Sequence, residues 1–125
     1  MDTTDIANKH ISVLLHELVS AIDISLSKQN IIVDATLWMA GHACEVIPKL
    51  QPGDIFIGFD ADTRNLPLAT QRIQGLSDIS LNICLPGEQL QVENKCVNIL
   101  LIHSNFEHLK TALEKHDIHS ITGIY

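Results

Sequence analysis

The sequence has few basic residues. Eight lysines and arginines stand against fifteen aspartates and glutamates in 125 residues, which gives a formal net charge of −7 at pH 7. The basic residues are scattered singly and form no stripe. A chain with this charge repels a phosphate backbone as a whole. If the function involves RNA, we therefore expect this chain not to supply the main contact with it.

Cysteines and long apolar runs are also scarce. Cys44, Cys84 and Cys96 are irregularly spaced and fit neither a disulfide framework nor paired zinc knuckles, so we expect buried or half-buried thiols. The longest apolar stretches, such as residues 98–102, are far shorter than the roughly 20 residues of a membrane helix. The N-terminus carries acid where a secretory signal carries basic residues. These absences predict a cytoplasmic protein without a membrane span.

The hydrophobic content, 46%, is sufficient for the core of one domain. Apolar residues recur at helical spacing from Ile11 to Ile22, with Ser12 as a possible cap, so residues 1–30 are predicted to form a helical lead-in. Residues 31–125 are predicted to form the remainder of the same domain.

Short apolar runs predict strands that are buried on both faces. They are residues 31–33, ending at Asp34, residues 55–59, ending at Asp60, and residues 98–102, with a final strand starting near Ile121. Helices are predicted from Gly41 or His42 to Leu50 and from Arg64 to Gln74, the latter capped by Asp62 or Thr63 and stopped by Gly75. The order strand, loop, helix, strand is typical of a parallel βαβ unit in an α/β fold.

Two further local patterns lead to predictions. Alternating residues 79–83 and 90–92, separated by Pro86-Gly87, indicate a small β-hairpin. Residues 104–107, Ser-Asn-Phe-Glu, form a capping box ahead of a helix. The apolar face of that helix is predicted to consist of Phe106, Leu109, Ala112 and Leu113.

Ligands of open α/β sheets bind at the carboxyl ends of the strands, which here points to residues 36–42, 60–62 and 103–106. Asp60 lies 19 residues after Gly41, close to the roughly 20-residue spacing at which a carboxylate meets ribose hydroxyls. The alternative that Asp60 only caps the next helix remains open. A different nucleotide-binding protein, perhaps one that uses NAD, is a further alternative, although the three-glycine dinucleotide fingerprint is missing.

Five motifs occur in the order found in one known family. HISVLLHE at residues 10–17 resembles H-x-P-V-L-L-x-E, DATLWMAGHA at 34–43 resembles D-x-T-x-G-x-G-G-H-S, and GFDAD at 58–62 resembles G-x-D-R-D. Asn105-Phe106 and Gly123-Ile124 fall where that family has N-F and G-I-L-x-D-L-G-V-S-S. The family is that of the S-adenosylmethionine-dependent ribosomal RNA cytosine-N4 methyltransferases of the MraW type. The resemblance runs from His10 to Tyr125, apart from residues 76–97.

The resemblance implies a Rossmann-like methyltransferase fold: a partial parallel sheet with flanking helices, ending after the fourth strand. It implies S-adenosylmethionine as cofactor and methylation of a cytosine amine in small-subunit ribosomal RNA. Ala40, Gly41 and His42 would lie near the methionine end of the cofactor, with Asp34 close to its sulfonium or amino group. The ribose would be bound by Asp60, and Phe106 would lie beside the adenine.

The departures from the family pattern qualify these expectations. Trp38 and Ala40 replace loop glycines at positions where positive φ can be required, so we expect weakened cofactor binding with Trp38 over or in the pocket. The stretch D-L-G-V-S-S and the inserted helical domain would lie beyond Tyr125. We therefore expect this chain to be the cofactor-binding part of the enzyme, inactive by itself and without an assignable catalytic residue. It would contact RNA only through the C-terminal part that it lacks. The alternative is a non-catalytic module that forms a homodimer through a truncated sheet edge.

Seven histidines raise the possibility of a metal site. His116 and His119 are three residues apart, and His103 and His108 are five apart, but no acid or cysteine completes a zinc pattern. We expect structural or surface roles for these histidines and no metal.

Overall fold

A computed structural model of the chain describes residues 28–35, 37 and 40–125. The predicted N-terminal helix and Trp38 lie outside the described residues, as does nearly all of the lead-in over residues 1–30.

The described residues form a parallel sheet with helices packed against it. Its strands are β1 (Ile31–Asp34), β2 (Ile55–Asp60), β3 (Leu81–Cys84), β4 (Val97–His103) and β5 (Gly123–Ile124). Their order in the sheet is β3-β4-β2-β1-β5, and every neighbouring pair is parallel. This arrangement confirms the predicted partial Rossmann-like α/β fold.

The helices lie between successive strands. They are α1 (Ala43–Val46), which continues as a 3-10 turn over Ile47–Lys49, α2 (Asn65–Gln74) and α3 (Leu109–Lys115). Pro48 lies in the 3-10 turn, where its missing N–H prevents the α-helix from continuing. α2 ends at Gly75 as predicted, but its N-cap is Arg64 and has no side-chain cap bond. Asp62 instead accepts the N–H of Arg64 at 2.9 Å, just before the helix begins.

The core lies on both faces of the sheet because successive strand residues point to opposite sides. On one face Ile32, Phe56 and Ile99 pack with the apolar residues of α1 and α2. On the other face Val33, Ile57 and Leu100 pack with residues that include Leu113 and Ile118, from α3 and the segment after it. The apolar runs of the central strands are thus explained by burial on both sides.

The predicted hairpin is wrong. β3 pairs in parallel with β4, residues 90–92 form no strand, and the sheet has five strands rather than the expected four. The fully buried Asn98 on β4 accepts hydrogen bonds from Glu93 N (2.8 Å) and Asn82 Nδ2 (2.8 Å) and donates one to Glu93 O (3.1 Å). These bonds hold residues 85–96 as a crossover, and a crossover of about a dozen residues is what parallel strands require.

The predicted capping box is also wrong. Ser104 still belongs to the sheet edge, since its N–H donates to Asp60 O at 3.1 Å, and its hydroxyl donates to Asn105 O at 3.3 Å. The chain then enters a 3-10 turn at Phe106 with Asn105 as N-cap and no side-chain cap bond. Phe106 therefore lies outside the inner face of α3 and is 49% exposed, whereas Leu113 is buried as predicted.

Candidate cofactor site

The carboxyl ends of four strands meet at one edge of the sheet. The chain passes from β1 to β2 and β4 on one side and returns to β5 on the other side of β1. The crevice beside β1 is therefore the topological switch point, where ligands of open α/β sheets bind. Asp34, Asp60, His103 and Tyr125 stand at or directly after the four strand ends.

The loop after β1 is tied to β2. Leu37 N donates to Phe59 O at 2.8 Å, and the Leu37 side chain packs directly over Gly58. Ala40 then adopts φ +63°, the left-handed conformation that the family glycine suggested. The Ala40 methyl group is buried in the core on the α1 face, so it does not project toward a ligand. Gly41 is exposed, and a Cβ there would meet nothing within 4 Å.

Asp60 is half-buried at the end of β2 and orders the next loop. Its Oδ1 accepts Asp62 N at 2.7 Å, and its Oδ2 accepts Asn65 Nδ2 at 3.3 Å. Asp60 therefore stabilises the approach to α2 without being its cap. Next to it, Arg64 forms hydrogen bonds with Asp62 that lower the pKa of the Asp62 carboxyl to about 2.

A cavity of about 350 Å³ opens at the carboxyl ends of β1, β2 and β4. Two of the predicted site residues, Asp60 and Phe106, line it together. The other lining residues are Ala35, Phe59, Ala61, Asn65, Ser104 and Asn105. The remaining predicted residues, Asp34, Ala40, Gly41 and His42, do not line this cavity.

Asp34 and His42 instead meet a residue that the motif comparison did not single out. Tyr125 lies with its ring centroid 5.7 Å from that of His42, at an interplanar angle of 43°. Burial raises the pKa of the Tyr125 phenol, and the neighbouring Asp34 carboxylate raises it further. Asp34 itself is 1% exposed. The one sequence signal for Tyr125 is that it stands where the family pattern has leucine.

A larger, open cavity of about 800 Å³ lies between residues 86–89 and α3. It meets the smaller cavity at Ser104, which lines both. His116 in its wall accepts Leu90 N at its Nδ1 (3.2 Å), and burial lowers the pKa of this imidazole. This bond joins the crossover between β3 and β4 to the end of α3.

Within the described part of the chain, no group of three or more His, Cys, Asp or Glu side chains is arranged to hold a metal ion. No helix in that part is long and apolar enough to cross a membrane. The three cysteines are free and buried or half-buried, as predicted.

Comparison with known proteins shows which family this chain is similar to. The profile of the MraW methylase family matches residues 7–125. Ribosomal RNA small subunit methyltransferase H of Clostridioides difficile (strain 630) is 30% identical over 115 residues, which are 92% of this chain and 30% of that protein. The protein of the same name from Clostridium botulinum (strain Hall) is 30% identical over 116 residues, 93% of this chain and 30% of the relative. No solved structure matches the chain.

The chain thus spans about 30% of the length of the curated relatives it matches. The family match, in contrast, extends over nearly the whole of this chain and includes every strand of the sheet. On these grounds, the chain belongs to the MraW methylase family.

Proposed function

We propose that this chain supplies the S-adenosylmethionine-binding part of a methyltransferase whose target is the N4 amine of a cytosine in small-subunit ribosomal RNA. The family membership and the names of the relatives support a ribosomal RNA methyltransferase. The observation that carries the cofactor assignment is the cavity in which Asp60 and Phe106 face the same space. With ribosomal RNA as the substrate, the proposed location is the cytoplasm.

The smaller cavity fits the nucleoside end of the cofactor. Its volume, about 350 Å³, lies within the roughly 300–1,000 Å³ range of small-molecule sites. Phe106 leaves half of its side chain exposed beside the cavity, where a ring can stack on adenine. Each Asp60 oxygen accepts one protein hydrogen bond and keeps capacity for another, so the carboxylate can accept both ribose hydroxyls.

The loop from Ala40 to His42 is proposed to hold the methionine end. Open space above Gly41 allows the backbone to approach a ligand closely, and Ala40 makes the turn that presents Gly41. His42 follows this turn directly, and Asp34 is the last residue of the strand that precedes the loop. We also propose that the buried Asp34 carboxylate lies near the ammonium group of the cofactor, because the two groups carry opposite charges and attract each other.

When bound, S-adenosylmethionine supplies the electrophilic methyl group. The residues of this chain bind and orient the cofactor, and we assign none of the described residues a catalytic role. Methyl transfer also requires the target base to be withdrawn from its stack and held in line with the methyl group. We propose that other parts of the full-length protein do this and contact the RNA, since the relatives are about three times longer and this chain carries a net charge of −7.

Calorimetric titration of the chain with S-adenosylhomocysteine tests the proposal. We expect binding to the wild type and about tenfold weaker binding to Phe106→Ala, because stacking of a base on an aromatic ring contributes about 1–3 kcal/mol. The matched control is Leu68→Ala on α2. Leu68 is 48% exposed, almost the same as Phe106, but it does not line the cavity, so its replacement should leave the affinity unchanged.

Two outcomes would contradict the proposal. One is the absence of any binding heat at millimolar ligand in the wild type. The other is an equal loss of affinity in Phe106→Ala and Leu68→Ala, which would mean that the cavity beside Phe106 is not the binding site.

A further inference from the structure

Asn65 lines the smaller cavity, although the motif comparison did not single it out. It is the first residue of α2, it is half-buried, and it lies in the wall of the cavity together with Asp60. Its Nδ2 donates to Asp60 Oδ2 at 3.3 Å, and its N–H donates to Asp62 O at 3.1 Å. Asn65 is therefore held at its backbone and at its side chain, and the side-chain bond leads to the residue that is proposed to bind the ribose.

The two oxygens of the Asp60 carboxylate have separate donors. Oδ1 accepts Asp62 N at 2.7 Å, and Oδ2 accepts the Asn65 amide. An ionised carboxylate accepts hydrogen bonds and donates none, so the Asn65 atom that faces Asp60 must be the amide nitrogen. The terminal torsion of an aspartate is broad, so a carboxylate bonded at one oxygen can still turn. Bonded at both oxygens, the carboxylate of Asp60 keeps its plane.

The charged groups near Asp60 do not share this role. The Asp62 carboxylate is engaged by Arg64, whose Nη2 lies 2.7 Å from Asp62 Oδ2, and neither residue lines the smaller cavity. His103 is also engaged elsewhere, since its Nε2 lies 3.0 Å from Ala61 O. In the part of the chain that the structure describes, Asn65 is the only side chain that donates to the Asp60 carboxylate.

A ribose makes a strict demand on the orientation of this carboxylate. Its 2′- and 3′-hydroxyls are adjacent, and both can donate to Asp60 only if each carboxylate oxygen faces one of them. If the carboxylate turns, one of the two hydrogen bonds is lost. A site that bonds a ligand hydroxyl discriminates against the analogue that lacks it, and this discrimination is lost with the bond.

We propose that Asn65 is a positioning residue of the ribose site, and that it makes the site selective for ribonucleosides over 2′-deoxyribonucleosides. It holds Asp60 Oδ2 in place, so that the carboxylate accepts the 2′- and 3′-hydroxyls together. The inference rests on the proposed function, since it assumes that Asp60 meets the ribose of the cofactor. Asn65 acts through Asp60 and needs no contact of its own with the ligand.

Competition against S-adenosylhomocysteine in calorimetric titrations measures this selectivity. Adenosine and 2′-deoxyadenosine are the two competitors, and the readout is the ratio of their affinities for the same protein. We expect the wild type to prefer adenosine by about tenfold, the factor that corresponds to one hydrogen bond to a charged group. Asn65→Ala should lower the preference to about threefold or below, because the Asp60 carboxylate can then turn.

Asn65→Asp provides a second variant of nearly the same shape. It replaces the amide donor by an acceptor, and at about pH 8 its charge repels the Asp60 carboxylate, so we expect the same loss of preference. The matched control is Gln71→Glu, which also exchanges an amide for a carboxylate on α2. Gln71 is exposed and does not line the cavity, so this variant should keep the preference of the wild type. Because the readout is a ratio for one protein, a reduced folded fraction cancels.

The outcomes separate the inference from the function on which it rests. If S-adenosylhomocysteine binds but the Asn65 variants keep the preference of the wild type, the positioning role is wrong while the cofactor site stands. The same holds if the wild type binds both nucleosides equally, or if Gln71→Glu loses the preference as well. If S-adenosylhomocysteine does not bind the wild type, the proposed function fails, and the positioning role fails with it.

Discussion

Gly58 in the middle of the sheet has no room for a side chain. A Cβ built there would lie 2.9 Å from both Cδ atoms of Leu37 and 3.2 Å from its Cγ. The φ angle of Gly58 lies outside the left-handed region, so the obstacle is steric and not conformational. Leu37 is 2% exposed and is fixed at its backbone by the bond to Phe59 O, so it has little freedom to move away.

We predict that Gly58→Ala destabilises the protein by about 1–3 kcal/mol, the usual cost of overpacking a core. Leu37→Ala should cost about 2–5 kcal/mol, because it removes a buried side chain. The double variant should be no less stable than Leu37→Ala alone, since the shortened side chain makes room for the new methyl group. The coupling between the two sites is then about 1–3 kcal/mol.

Urea unfolding of the four proteins, followed by circular dichroism, measures these differences. Gly41→Ala is the matched control, because a Cβ there meets nothing within 4 Å, and we expect its stability to stay within about 0.5 kcal/mol of the wild type. Additive effects of Gly58→Ala and Leu37→Ala would refute the reasoning. They would show that the cost at Gly58 has another origin than the loop packed above it.

Two further predictions concern pH and association. Burial lowers the pKa of His116 in the folded protein, so as the pH falls the unfolded chain takes up a proton at this histidine before the folded protein does. The free energy of unfolding is therefore largest above about pH 6.5 and falls as the pH drops from there through the lower pKa of the folded state. His116→Gln should flatten this decline in urea titrations between neutral and mildly acidic pH; an identical decline in both proteins would count against it. We also predict a homodimer through the outer edge of β5, which pairs on one side only among the described residues. Light scattering should detect the dimer at high concentration, and Ile124→Lys should abolish it, as Ile124 is 41% exposed on that edge; a wild type that is monomeric throughout would refute it.

Much of the fold could be predicted because the informative signals are local. The apolar runs at β1, β2 and β4 indicate buried strands without reference to the rest of the chain. Gly75 ends α2 and Pro48 interrupts α1, and each effect depends on the residue itself and its immediate neighbours in the chain. For the site, the motif order led to Asp60 and Phe106, and the structure brings these two residues to one cavity.

The errors arose where distant groups decide the outcome. The alternation around β3 is compatible with a hairpin, but β3 pairs in parallel with β4, and hydrogen bonds of Asn98, which is 16 residues from Asn82, hold the crossover between them. Ser104 has the sequence of a helix cap, yet its N–H is bonded to Asp60 on the neighbouring strand, so the helix begins later. Neither partner is visible from the local sequence.

The family, the buried strands and the polar residues at their carboxyl ends can be inferred from residue type and spacing alone. Which of those residues lie together depends on the order of the strands in the sheet. Asp60 and Phe106 meet because β2 and β4 are neighbours, and Tyr125 reaches Asp34 because the chain returns to pair β5 with β1, 91 residues after leaving it. A contact of this kind is set by strand order, which no short segment of the chain encodes.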